Sequence, residues 1–190
     1  MPKLTNVQSA NLVRQRNEPR DCFYTPKSLV KIHLDIIRPY VKASDIILEP
    51  ASGLNAYLDQ LPREFPECRV QWCEIALGRD FFEYTGEPDI IITNPPFSLL
   101  DRFIERSIQL RPRIISFVLN MYAVTPCRLR GFNDNGYFVV GYHMTRVNRW
   151  FGVSVILTVS REVTENIVTF DCQRHILEPP SEISSPIINA

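Results

Sequence analysis

The residues with the most to offer chemically are Asn94, Pro95, Pro96 and Phe97, which close an isoleucine run in DIIITNPPFSLL (89–100). Two prolines remove two backbone donors and fix φ twice, a costly way to build an ordinary turn. A rigid amine clamp makes better sense of them. The amine on an aromatic base is a poor nucleophile, because its lone pair is conjugated into the ring. The side-chain oxygen of Asn94 and the carbonyl of Pro95 can each accept an amine proton, drawing the nitrogen toward tetrahedral geometry and freeing the lone pair. The prolines preorganise both acceptors, and Phe97 supplies a face on which the base stacks.

Other segments offer carboxylates or aromatic rings beside turns. Glu49-Pro50-Ala51-Ser52-Gly53 is a carboxylate followed by small residues, without G-x-G-x-x-G or G-x-x-x-x-G-K-[ST], so cradling phosphate is not its chemistry. It suits a ligand with a cationic or hydroxyl-bearing face, or else is a plain strand-to-helix turn. Glu74, in WCEI, either accepts hydrogen bonds from ribose hydroxyls or is a solvated strand-end charge. Asp80 with Phe81 and Phe82, in GRDFF, pairs an acceptor for an adenine amino group with a ring to stack on it, unless the rings are simply core. TRVNRWFG (145–152) gathers Arg146, Arg149, Trp150 and Phe151, residue types that contact phosphates and stack on bases, or equally a hairpin with packed aromatics.

The elements that must position these residues follow from hydrophobic patterning. Apolar runs at DIILEP (45–50), CRVQWCEI (68–75), DIIIT (89–93) and RIISFVL (113–119) read as buried strands. GYFVVGY (136–142) and FGVSVILTVS (151–160) read as two closing strands rich in β-branched residues. Between them lie helical patterns. The first begins with Thr25 as N-cap and Pro26 at the first helical position. A second runs through ASGLNAYLDQL and stops at Pro62. A third is capped by Ser98 and buries Leu99, Leu100, Phe103, Ile104 and Ile108. Residues 125–129 form a short helix at best. Strands alternating with helices predict an α/β fold with a mostly parallel sheet and an antiparallel edge hairpin. In open sheets of this kind ligands bind outside the carboxyl ends of the strands. Glu49, Glu74 and Asn94 all fall at such ends. The expected organisation is a flexible arm over 1–21, a folded domain over 22–170 and a Pro/Ser-rich tail over 171–190.

Composition narrows little else. The chain has 190 residues, 45% of them hydrophobic and 22% charged, with zero net charge, so the overall field argues neither for nor against nucleic acid. Five cysteines without a C-x-x-C argue against a disulfide framework or a zinc ribbon, and no metal is expected. No apolar run reaches the roughly 20 residues of a membrane span. The expectation is an intracellular protein in a reducing compartment, without membrane contact.

Taken together, these segments resemble the class I S-adenosylmethionine (SAM)-dependent amino-methyltransferases, especially the adenine-specific DNA methyltransferases. NPPF matches their (Asp/Asn/Ser)-Pro-Pro-(Tyr/Phe) motif, LEPASG the first half of their cofactor loop, and FYTP (23–26) the motif of their N-terminal helix. The pattern from Trp72 to Ser98 is similar to that of small, stand-alone members from phages and large viruses. The resemblance implies a Rossmann-like methyltransferase domain using S-adenosyl-L-methionine. It implies that Tyr24, Thr25 and Pro26 contact the methionine end, with Glu49 and the turn of Ala51, Ser52 and Gly53 beside it. Glu74 and Ile75 would then lie at the ribose, and Asp80 and Phe81 at the adenine. Asn94, Pro95, Pro96 and Phe97 carry catalysis, and Phe97, Arg149 and Trp150 hold substrate. Nucleic acid is the implied partner. No segment remains for reading sequence, so low specificity is expected unless a partner subunit supplies it.

Two departures from the family pattern bear on this. Asn55 stands where the cofactor loop usually has a second glycine, a position tolerated in the left-handed region. Only fourteen residues separate Glu74 from Asp89, so the usual helix and strand there must be shortened or lost. Three alternatives share the sequence features: a methyltransferase for a glutamine amide, one for an RNA amine, and a catalytically inactive binding or assembly subunit on the same fold.

Overall fold

The computed structural model describes residues 23–147, 150 and 152–162, together with the backbone of 167–175. Seven strands form one sheet: β1 Ile46–Glu49, β2 Arg69–Trp72, β3 Ile90–Thr93, β4 Ile114–Asn120, β5 Phe138–Val147, β6 Ser154–Ser160 and β7 Ile167–His175. Their order across the sheet is β2-β1-β3-β4-β6-β5-β7. Every pairing is parallel except the two made by β6, with β4 and with β5. Helices α1 Lys27–Ile37, α2 Leu61–Glu64, α3 Leu100–Gln109 and α4 Pro126–Asp134 join or cover the strands.

Successive residues of a strand point to opposite faces, and here both faces are covered. Leu48, Ile91, Ile115, Phe117 and Leu157 pack with Leu100, Phe103 and Ile104 of α3 and with Phe132 of α4. Ile47, Ile90, Ile92 and Ile114 pack on the other face with Val30, Leu34 and Ile37 of α1 and with Leu61. This double burial is why the strands read as unbroken apolar runs rather than alternating ones.

The sheet is the mostly parallel Rossmann-like methyltransferase sheet expected, with its antiparallel β5–β6 hairpin near one end. The middle is shortened, as the spacing requires. Only two single 3-10 turns, Ile75–Leu77 and Phe81–Glu83, fill the path from β2 to β3. β3 pairs directly with β1, aligning Ile47 with Ile90, and β2 is left as an edge strand.

Several expectations are corrected. β7 is a further strand outside the hairpin, parallel to β5. It crosses the 170/171 boundary taken as the domain's end, so the sheet continues to His175. The helix expected over ASGLNAYLDQL is a series of turns, with helix only at α2, and Pro62 sits in its first turn instead of stopping it. Pro26, not Thr25, is the N-cap residue of α1, its carbonyl accepting the Leu29 and Val30 N–H groups at 3.0 Å each. Ser98 lies inside a 3-10 turn, Phe97–Leu99, and Leu99 is the N-cap residue of α3 without a side-chain bond. α4 runs to Asp134, well beyond the short helix expected.

The aspartates that precede β1 and β3 serve the amino ends of the sheet. Asp45 pairs with Arg113 at 2.7 Å, and Asp89 accepts the Ile46 N–H at 2.9 Å. The amino ends are therefore tied by structural charge, while the carboxyl ends stay open for chemistry.

Candidate active site

A cavity of about 400 Å³ opens at the carboxyl ends of β1, β2 and β3, within the size range of small-ligand sites. Tyr24 and Thr25 line it just before α1, and Ala51, Ser52 and Gly53 line it after β1. Glu74, Ile75, Asp80 and Phe81 line it after β2, and Asn94, Pro95 and Pro96 after β3. The structure thus gathers most of the sequence-predicted site residues around one space. Pro26, Glu49, Phe97 and Trp150 are not in the lining. Arg149 lies outside the described residues.

The loop after β1 is built for close approach. Gly53 has φ +51°, and a Cβ there would come within 3.5 Å of the Tyr24 ring. Asn55 has φ 62°, the left-handed value that its sequence position required, and its N–H donates to the Ser52 carbonyl at 2.9 Å. Among non-glycine residues Asn tolerates this region best, so the turn forms without the second glycine. Asn55→Ala is expected to cost about 1 kcal/mol of stability through backbone strain, read from urea unfolding.

Glu74 joins two loops. Its Oε2 accepts the Gly53 N–H at 2.7 Å and its Oε1 the Ala76 N–H at 3.1 Å. A carboxylate oxygen has a second lone pair, so each still has capacity for a ligand hydroxyl. Asp80 likewise caps its own turn, Oδ1 accepting the Phe82 N–H at 2.8 Å. Ile75, beside Glu74, is 70% exposed and lines the cavity, so its side chain is free to meet a ligand there.

Glu49 lies beneath the cavity and is fully buried. Its Oε1 accepts the Ala51 N–H at 2.9 Å and the Thr93 hydroxyl at 2.5 Å. Burial pushes its carboxyl up to about 8, an effect the Thr93 and Ala51 hydrogen bonds only partly offset. Burial thus favours the protonated form, and the carboxyl, outside the cavity lining, braces the loop that follows; its Oε2 is buried without a partner among the described residues.

Asn94 stands at a junction. Its Nδ2 donates to the Phe23 carbonyl at 2.6 Å, which fixes the amide orientation. Its Oδ1 is buried and has no hydrogen-bond partner among the described residues. Asn94 lines the cavity. Three residues on, the Phe97 ring packs at 5.5 Å from the Phe23 ring, which meets the Trp150 ring edge-on at 6.0 Å. Trp150 Nε1 is also buried without a partner among the described residues.

Several lining residues were not foreseen, among them Phe23, Arg102 and Tyr57. Phe23 joins the aromatic wall to the cavity. Arg102 lies over the Phe82 ring, 4.0 Å from its centroid, at the rim; its spacing of three from Leu99 was the signal that put it on this face. Tyr57 donates to or accepts from His33 Nδ1 at 2.7 Å, and His33 Nε2 meets Ser116 Oγ at 2.7 Å. Burial holds His33 down at about 3, so it is neutral in the folded protein.

A mostly parallel sheet with this hairpin and a cavity at its carboxyl ends is the architecture of the Rossmann-like methyltransferase fold. Among solved structures, the magnesium protoporphyrin IX methyltransferase of Synechocystis PCC 6803 with bound SAM is similar at TM-score 0.56 and 14% identity, over 85% of this chain and 86% of that one. The precorrin-6y C5,15-methyltransferase of Geobacter metallireducens is similar at TM-score 0.55 and 13% identity, over 74% and 91%. The methyltransferase subunit of a type I restriction-modification system from Streptococcus thermophilus matches at TM-score 0.55 and 14% identity, over 78% of this chain and 47% of its own. This chain thus spans about half of that subunit. No protein-family model matches the chain, and no curated protein matches its sequence. Among the described residues no helix is long and apolar enough to cross a membrane, and no group of three or more His, Cys, Asp or Glu could hold a metal ion.

Proposed function

We propose that this chain is a SAM-dependent N-methyltransferase acting on the exocyclic amine of adenine in nucleic acid, DNA foremost, with little sequence specificity of its own. The observation that carries the reading is Asn94: it lines a cofactor-sized cavity, its amide nitrogen is anchored on the Phe23 carbonyl, and its buried oxygen has no partner among the described residues. The similar structure with bound SAM supports the cofactor, and the likeness to a restriction-modification methyltransferase subunit supports nucleic acid as the substrate class.

The residues present fit SAM. Ser52 Oγ is buried without a partner among the described residues, and Gly53 leaves the space a Cβ would fill beside Tyr24. Thr25, Ala51 and Ser52 would hold the methionine end, Glu74 the ribose hydroxyls, and Asp80 and Phe81 the adenine, with Ile75 against its ring. When bound, SAM supplies an electrophilic methyl group. This chain's own part is to present the nucleophile. Asn94 Oδ1 and the Pro95 carbonyl would accept hydrogen bonds from the two amine N–H groups and turn the localised lone pair toward that methyl group, and the proton that the methylated nitrogen sheds would pass to solvent water. Phe97, with Trp150 and Arg149, holds the base. Target recognition would come from a partner subunit, as the restriction-modification likeness suggests.

The amine clamp also suits a glutamine amide, and the inactive-subunit alternative was motivated by Asn55 and by the shortened middle. The left-handed conformation of Asn55 weighs against the first motive, while the short path from β2 to β3 keeps the second. The deciding experiment is calorimetric titration with SAM followed by methyl transfer to adenine-containing oligonucleotides. Micromolar binding is expected, weakened in Glu74→Ala. A folded protein that binds no SAM would return the assembly reading to first place.

A further inference from the structure

Three large hydrophobic side chains stand out as exposed: Ile75 at 70%, Tyr122 at 71% and Phe138 at 50%. Ile75 belongs to the cavity, and Phe138 starts β5 at the amino-end side of the sheet. Tyr122 is unaccounted for. It follows β4 directly, at the carboxyl ends where Asn94 follows β3.

Its turn is held at three points. Asn120 Oδ1 accepts the Tyr122 N–H at 3.0 Å, and the Met121 N–H donates to the Val153 carbonyl at 2.9 Å. Arg128 Nη1 donates to the Ala123 carbonyl at 2.7 Å. Gly152, just before β6, lies against its ring. Gly152 has φ +76°, and a Cβ there would lie 3.8 Å from Tyr122 Cε2. Two residues earlier, Trp150 packs edge-on against Phe23, which contacts Phe97. A tyrosine fixed by its backbone, yet offering its ring to solvent beside the catalytic wall, loses little entropy when a planar group stacks on it.

We propose that Tyr122 is the platform for a base adjacent to the target adenine in a single strand, so that the strand is gripped next to the flipped nucleotide. The inference rests on the adenine reading above. Stacking is sequence-tolerant because every base has a π-face, which suits a protein that grips nucleic acid without reading it.

The test measures methyl transfer to a single-stranded DNA oligonucleotide with one adenine, and to the same strand with abasic sites on either side of that adenine. On the intact strand, Tyr122→Ala is expected to raise KM about tenfold, the lower part of what one stacked base contributes. Its kcat and SAM affinity are expected to stay unchanged, and Tyr122→Phe to behave as wild type. On the abasic strand the wild type and Tyr122→Ala should coincide, because the partner of the ring is gone. An unchanged KM on the intact strand, or an equal penalty on both strands, overturns the platform while leaving the adenine reading intact. A wild-type protein that binds SAM but transfers no methyl to any adenine strand overturns that reading, and the platform with it.

Discussion

Asn94→Ala is expected to bind SAM nearly as the wild type does, yet to lose methyl transfer by at least about a hundredfold, as for other preorganised groups that act on the transition state. That factor corresponds to about 2.7 kcal/mol of barrier, a reasonable contribution for one well-aligned acceptor in a site that excludes water. The geometry sharpens the prediction. Asn94 both donates to the Phe23 carbonyl and presents Oδ1, so removing the amide also loosens the segment entering α1. Asn94→Asp separates the two roles, keeping an acceptor and losing the donor. If acceptance of the amine protons is what matters, Asn94→Asp retains more activity than Asn94→Ala at saturating SAM. If anchoring Phe23 is what matters, both variants fail alike and SAM affinity falls with them. Transfer by Asn94→Ala within a few-fold of wild type would sink the clamp.

How much of this was visible beforehand depends on which physical force set each feature. β1, β3 and β4 were legible because burial on both faces demands unbroken apolar runs. The place of Asn94, Pro95 and Pro96 at a cavity was legible because two prolines after a strand have few structural reasons to exist. The left-handed Asn55 was legible because it stands where the resembled family has a glycine, and Asn tolerates that region. The loop after β1 misled because Tyr57, Leu58 and Leu61 have helical spacing and are indeed buried. Two positive-φ residues, Gly53 and Asn55, nevertheless keep the chain in turns until α2. β7 escaped because an edge strand pairs along one side only, and its second half, DCQRH (171–175), carries none of the apolar alternation that marks a covered strand. The aromatic wall of Phe23, Phe97 and Trp150 unites three distant parts of the chain, and no local pattern encodes such a meeting.

Glu49 illustrates the limit best, because a carboxylate at a strand end reads as ligand-facing until its surroundings are known. With its carboxyl raised from 4.5 to about 8 and His33 lowered from 6.5 to about 3, two opposite linkages act on stability. Between those two ordinary values the unfolded chain gains a proton on His33 that the folded protein refuses, and loses one from Glu49 that the folded protein keeps. The effects cancel there. Above pH 6.5 only Glu49 acts: folded protein holds the proton, unfolded chain does not, and stability falls as pH rises toward 8. At about 1.4 kcal/mol per pH unit, that interval removes roughly 2 kcal/mol from the wild type. Below pH 4.5 only His33 acts, and stability falls as pH drops toward 3. Glu49→Gln keeps the shape and removes the titration, so its stability should be flat where the wild type declines on the alkaline side. Urea unfolding across that range checks this. A wild type as flat as Glu49→Gln would mean that Glu49 is already ionised in the fold, and that its charge, rather than its proton, shapes the loop above it.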